Sequence, residues 1–318
     1  MPPTRAATRL APAGVAVAAA CCALWGGNAV AVKEAVPAIP AFGCAGLRFL
    51  ISLPIIAVVC RASGQPLWVG RGRLGLLAVH AALTFVQIGT FNLGTSLGLA
   101  GRSSVFINVH PLVVAPLAWL LLGERLGGRA FAGLAAAAVG VLTLLAGGPA
   151  GGSAGDAIVL GSGVLFGLQT IAQKKTFPLI PPATLLLTQS VAAIPLFLGY
   201  SAAFEGFDRY QFTRASVAGL LYQGLAVSGL CFTTWMLLLR RYPAGQLAAV
   251  AFLTPIFGVG LGNLVRGEPL TWPLVVGGAL VGVGIFLVAS DHRALVVSSV
   301  EGPRPSIGPP GKNPSGRV

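Results

Sequence analysis

Charge is what this sequence lacks most. Only 9% of its 318 residues are charged, against about 25% in a soluble domain. A chain so poor in charge cannot cover a water-facing surface, which excludes a soluble globular protein. The five cysteines, Cys21, Cys22, Cys44, Cys60 and Cys231, fall inside apolar runs. They have neither a disulfide framework nor metal-type spacing. There is no Ser/His/Asp set, no His-x-x-x-His and no paired acids, so an intramembrane enzyme is not expected. Nor does any carboxylate sit deep in an apolar run. Proton coupling through a buried Asp or Glu, as pumps use, therefore has no support.

What is present is apolar. Hydrophobic residues make up 55% of the chain, and many runs approach 20 residues, the length that spans about 30 Å of hydrocarbon as a helix. The reading is an all-α, multi-pass membrane protein. Ten spans are predicted: 12–32, 39–60, 74–95, 99–122, 129–147, 156–174, 182–203, 215–239, 245–265 and 271–290. Polar or Gly/Pro turns separate them, such as Gln65-Pro66, Gly147-Gly148-Pro149 and Pro181-Pro182. Residues 5–20 imitate a signal peptide, but the apolar run continues to Val32, too long for a signal core. Residues 291–318, rich in Pro, Gly and Ser, read as a disordered cytoplasmic tail.

The net charge of +13 would suggest nucleic acid in a soluble protein. Here the basic residues sit in connections between apolar runs, where they orient the chain in its membrane. With the N-terminus inside, fifteen Lys and Arg lie on the cytoplasmic side and five outside. Arg48, within a span, completes the 21. Both termini are therefore expected in the cytoplasm, in the cell inner (plasma) membrane.

The chain is also duplicated. Residues 111–145 superimpose on 255–289 at an offset of 144 without a gap. Pro111/Pro255, Gly123/Gly267, Glu124/Glu268, Gly133/Gly277 and Gly140/Gly284 are among the identical pairs. A weaker echo at an offset of 141 aligns Trp25-Gly26 with Phe166-Gly167, Asn28 with Gln169 and Lys33 with Lys174. The halves are residues 1–150 and 151–290. Each holds five spans, an odd number, so the second copy enters the membrane from the opposite side and the repeats are inverted.

Three pieces carry a family resemblance: Leu24-Trp25-Gly26 with Lys33, then Leu47-Arg48-Phe49, then the twice-present Pro-(apolar)-Gly-Glu-x-Leu block followed by Gly-x6-Gly. In this order they resemble the EamA-type exporters of the drug/metabolite transporter superfamily. The resemblance implies two inverted five-helix repeats around a central cavity and alternating access, with export of amino acids, other metabolites or drugs. Uptake or exchange of another solute, such as a drug or a nucleotide sugar, is the alternative. Arg48 alone supplies too little positive charge in the spans for a phosphate. The expected partners are a small-molecule substrate and the lipid bilayer, without cofactor, metal or nucleic acid. The oligomeric state is left open.

Candidate substrate contacts follow from polar residues sharing helical faces. His80, Thr84, Gln87 and Phe91 stand at spacings of 4, 3 and 4 on one face and are expected to line the cavity, with hydrogen bonding between helices as the plainer reading. Trp25 with Asn28, and Phe166 with Gln169 and Gln173, offer a ring and an amide to an uncharged or zwitterionic solute. Tyr222 and Gln223 form a similar pair, and Trp235 aligns with Phe91. Five further residues are expected to be structural or gating. Arg48, a charge within a span, could bind a substrate carboxylate or the backbone carbonyls of a neighbouring helix; the structural role is preferred, because its counterpart region, Thr188-Gln189-Ser190, carries no arginine. Glu124 and Glu268 are each expected to cap the helix that follows them. Lys33 and Lys174 are expected at opposite mouths, each a cation favoured at its helix C-terminus, with the sharper alternative that each contacts carbonyls only when its own mouth is closed. Gly258-x3-Gly262 and Gly278-x3-Gly282 are expected to let helices approach closely.

Overall fold

The computed structural model describes residues 11–122, 127–146, 154–241, 250–251 and 253–289. Every long element among them is a helix. In chain order they are α1 (Pro12–Gly26), α2 (Asn28–Ala35), α3 (Ala41–Ala62), α4 (Leu74–Leu97), α5 (Ala100–Ile107), α6 (His110–Leu122), α7 (Gly128–Ala146), α8 (Ala154–Thr176), α9 (Pro182–Tyr200), α10 (Arg214–Leu221), α11 (Phe232–Arg241), α12 (Leu253–Arg266) and α13 (Trp272–Ala289). A π-helical turn, Ser201–Glu205, prolongs α9, and a second π-helical stretch, Tyr222–Cys231, joins α10 to α11. Among the described residues, seven helical runs are long and apolar enough to cross a membrane: Pro12–Ala35, Ala41–Ala62, Arg71–Leu97, Gly128–Ala146, Ala154–Thr176, Pro182–Glu205 and Arg214–Leu238. Glu124 and the tail expected at 291–318 lie outside the described residues.

Local chemistry explains three departures from the predicted spans. The first run bends at Gly27, whose backbone N–H reaches Ala23 O at only 3.4 Å. It then continues past the predicted end to Ala35, drawing Lys33 and Glu34 into the helix. The run predicted at 99–122 breaks between α5 and α6. There Asn108 turns its side chain back onto Ser104 O (2.7 Å), and Pro111, the second residue of α6, has no N–H to carry the ladder of α5 onward. The run predicted at 215–239 is regular at its ends and π-helical in the middle. Gly206 (φ 80°) ends the α9 run and Gly267 (φ 65°) makes the turn after α12, positions where a side chain would be strained.

The helices that pack most extensively come from opposite halves: α7 with α13, α4 with α8, α3 with α9, α5 and α1 with α12, α2 with α10, and α6 with α8. Small residues permit the closest approaches. A Cβ on Gly140 would lie 2.6 Å from Gly277 O, and one on Gly284 would lie 2.5 Å from Gly133 O. Gly258 and Gly262 of α12 meet α5 at Ser104 and Gly101 as expected. Gly278 does not: its nearest neighbour is Val105, at 3.6 Å. The close seam of α13 runs through Gly277 and Gly284 instead, one residue before and two residues after the predicted pair.

Candidate functional site

The polar face of α4 is a seam against α8. His80 Nε2 pairs with Thr176 Oγ1 (2.8 Å), Gln169 Nε2 donates to Thr84 Oγ1 (2.8 Å), and Gln87 Nε2 donates to Ser162 Oγ (3.1 Å). Ser162 returns a bond to Gln87 O at 2.7 Å. His80, Thr84, Gln87 and Gln169 are all buried, and Phe91 packs into an apolar cluster with Ala29, Val30 and Val32. The cavity-lining role expected for this stripe is therefore corrected. In an apolar medium a polar side chain seeks a partner, and on antiparallel helices residues spaced 3 or 4 apart meet their opposites in register.

Tyr222 and Gln223 hold the π-helical stretch against the first run. Tyr222 donates to Leu24 O (2.8 Å), and Gln223 Nε2 donates to Ala31 O (3.3 Å). Gln173 is half-buried near the end of α8. Trp235, on α11, packs against the first run. Its ring is 4.9 Å from that of Trp25, which is 5.8 Å from Phe232. Trp25 Nε1 and Asn28 Oδ1 are buried, with no hydrogen-bond partner among the described residues.

Arg48 adjoins this aromatic group. Its guanidinium carbon is 5.9 Å from the centre of the Phe232 ring and 5.7 Å from that of Phe49. The residue is fully buried. Nε donates to Ser228 Oγ (2.8 Å), while both terminal nitrogens lack a partner among the described residues. The close packing of α3 on the π-helical stretch puts Ser228 within reach: a Cβ on Gly224 would lie 2.6 Å from Ile51.

A second polar group joins the ends of α2, α4, α5 and α12. Lys33 Nζ donates to Ser96 O (3.1 Å) and Gly98 O (2.8 Å), and Arg266 pairs with Glu34. The carboxylate of Glu268 accepts from the backbone of Ala100 (2.7 Å) and Gly101 (2.8 Å). Glu268 thus caps α5, from the other half of the chain. The expected cap on its own following helix is corrected. The turn at Gly267 aims the carboxylate across to α5, whose first amides are unsatisfied.

Two acids escaped notice in the sequence. Asp156, in the first turn of α8, pairs with buried Arg102, whose Nη2 also donates to Leu144 O (2.6 Å). Glu205 accepts from the backbone of Phe42 and Gly43, both at 3.0 Å, and so caps α3. Their signal was rarity, since the chain holds only 8 acids. Tyr210, in the adjoining connection, shares a hydrogen bond of 2.7 Å with Ser201, and burial raises its phenol pKa above the ordinary value.

The EamA-like transporter family is the family whose model matches this chain, over residues 12–146 and 153–290. A Salmonella typhimurium protein named probable amino-acid metabolite efflux pump is 27% identical over 292 residues, which is 88% of this chain and 95% of that one. An Escherichia coli protein of the same name is 26% identical, with 83% and 90% of the two chains covered. A Pseudomonas aeruginosa protein is 31% identical, with 85% and 93% covered. One crystal structure matches in fold with a TM-score of 0.67 at 18% identity, covering 86% of this chain and 95% of the other.

Proposed function

The chain belongs to the EamA-like transporter family, and from that premise we propose that it exports small metabolites, amino acids or related compounds, by alternating access. Such a protein is a multi-pass membrane transporter, and its relatives are transporters rather than enzymes. In this reading ten spans form two inverted five-helix repeats, residues 1–150 and 151–290. The protein lies in the inner membrane with both termini cytoplasmic. The names of the Salmonella and Escherichia relatives support efflux of amino-acid metabolites.

The observation that carries the two-repeat reading is reciprocity. Gly140 approaches Gly277 while Gly284 approaches Gly133, and these are two pairs of mates at the offset of 144. Helix pairing repeats the pattern. The contact of α4 with α8 has its counterpart in that of α2 with α10, and that of α6 with α8 in that of α1 with α12. Mates that exchange partners in this way are what a twofold relation between the repeats would produce.

Lys33, Glu34, Arg266 and Glu268 together tie α2, α4, α5 and α12, which supports an external mouth that is closed in this state. Trp25, Asn28 and Trp235 are then the surviving candidates for solute contact, and the α4 stripe serves the bundle. The test is counterflow of labelled amino acids in proteoliposomes. Saturable exchange is expected, and its absence across all twenty amino acids would reject the amino-acid reading. A reporter active only in the periplasm, fused after Val318, should be silent.

A further inference from the structure

We propose that the guanidinium of Arg48 is a subsite for the carboxylate of the transported solute. The assignment deepens the transport reading and takes from it that a solute reaches the interior of the bundle.

A guanidinium cannot shed its proton at any pH a cell meets, so burying it without a counter-charge is strongly unfavourable. Arg48 is fully buried on α3, and its one hydrogen bond among the described residues is Nε to Ser228 Oγ. The rings of Phe49 and Phe232 offset part of the cost through their faces. They leave Nη1 and Nη2 without acceptors among the described residues.

No described acid can serve as the missing partner. Glu34 is paired with Arg266, and Asp156 with Arg102. Glu205 is bound to the amides of Phe42 and Gly43, and Glu268 to those of Ala100 and Gly101. Asp208 lies in the connection after α9.

The orientation narrows the ligand. With Nε occupied, the free edge of the guanidinium is its end, where the two terminal nitrogens form a planar fork. That fork matches the two oxygens of a carboxylate. The Ser228 that holds Nε belongs to the π-helical stretch Tyr222–Cys231, a distortion frequent at functional sites. Phe232 touches both the guanidinium and the Trp25 ring. Trp25 Nε1 and, three residues further along the same run, Asn28 Oδ1 are buried without a partner among the described residues, polar atoms that the remainder of an amino acid could use.

The experiment uses the full chain. In proteoliposomes, unlabelled L-phenylalanine and L-phenylalaninamide compete against labelled L-phenylalanine. The acid should compete at least tenfold better than the amide in the wild type, and the preference should fall below twofold in Arg48→Gln. Equal competition by acid and amide, or a preference retained in Arg48→Gln, would overturn the assignment. If Arg48→Gln does not fold, Arg48→Lys replaces it, since it keeps the charge and loses the fork. Its preference should drop at least threefold, and an unchanged value counts against the subsite. If no amino acid is transported, the transport reading fails by itself and a second arm decides. The thermal midpoint of the purified protein is compared in sodium acetate and sodium chloride at equal ionic strength. A higher midpoint in acetate, lost in either variant, sustains the subsite. Equal midpoints in the two salts mean that no carboxylate is held there, and an effect that persists in the variants places it elsewhere.

Discussion

Two arginines are buried among the described residues, and their surroundings differ. Arg102, at the start of α5, has a carboxylate at 2.8 Å, a backbone carbonyl at 2.6 Å and the Phe106 ring beneath it. Arg48, about a third of the way along α3, has a serine hydroxyl and two rings, and its terminal nitrogens find no partner among the described residues. Both are inaccessible to water, so burial alone does not separate them; what separates them is partnership. A cation whose counter-charge is built into the chain holds helices together. A cation without one keeps a cost that a ligand can relieve. The α4/α8 seam belongs with Arg102, since each of its polar side chains bonds across to the facing helix.

The comparison can be broken most severely at Asp156. Asp156→Ala strands Arg102, and removing one member of a buried pair costs about 3–5 kcal/mol. Folded protein should be scarce, with a thermal midpoint many degrees lower in detergent. A wild-type midpoint would mean that Arg102 needs no partner and that the contrast with Arg48 is empty.

The seam should give the next largest effect. Gln169→Leu leaves the Thr84 hydroxyl without its donor at a cost of about 1–3 kcal/mol. Adding Thr84→Val should recover most of the loss, because replacing both members of a buried pair is nearly neutral. Calorimetric midpoints of the two single variants and the double variant test this. Strict additivity would argue against a paired seam.

Lys33→Ala should matter less to stability, by about 0.3–1 kcal/mol for a cation at a helix C-terminus. It should also release the end of α4 and favour the outward-open state, since a contact made in one state biases the equilibrium by its own energy. The measurement is the alkylation rate of Leu97→Cys in a background without the native cysteines. Faster labelling with Lys33→Ala is expected, and equal rates would leave Lys33 as an anchor only.

The smallest change in stability is expected at Arg48 itself. Arg48→Met removes a buried, unpaired charge and keeps an apolar chain of similar reach, so the thermal midpoint should hold or rise. A fall as large as that of Asp156→Ala would place Arg48 with Arg102 after all.

Much of the fold was legible because membrane helices are written in composition. Apolar runs near 20 residues located the helices, and the 144-residue repeat marked the turn at Gly267, without any knowledge of contacts. Where a single residue governed the backbone, as at Pro111 and Gly27, the clue was in plain view but weak. The ten-residue π-helical stretch left none, because the residues from Tyr222 to Cys231 suit an α-helix equally well.

The candidate site was less legible. Spacing put His80, Thr84 and Gln87 on one face, and that part was right. It could not say whether a cavity or another helix faced them, because both demand polar residues at the same spacing. Glu268 was marked by its repeat, yet the helix it caps lies 168 residues away in sequence. Composition and periodicity by themselves determined that this chain makes apolar helices in two related halves, since the hydrophobic effect and backbone hydrogen bonding act residue by residue and turn by turn. Only the tertiary structure decided which polar groups are spent on one another and which remain open, because a hydrogen bond requires two partners within about 3 Å and nothing in the order of residues states that distance.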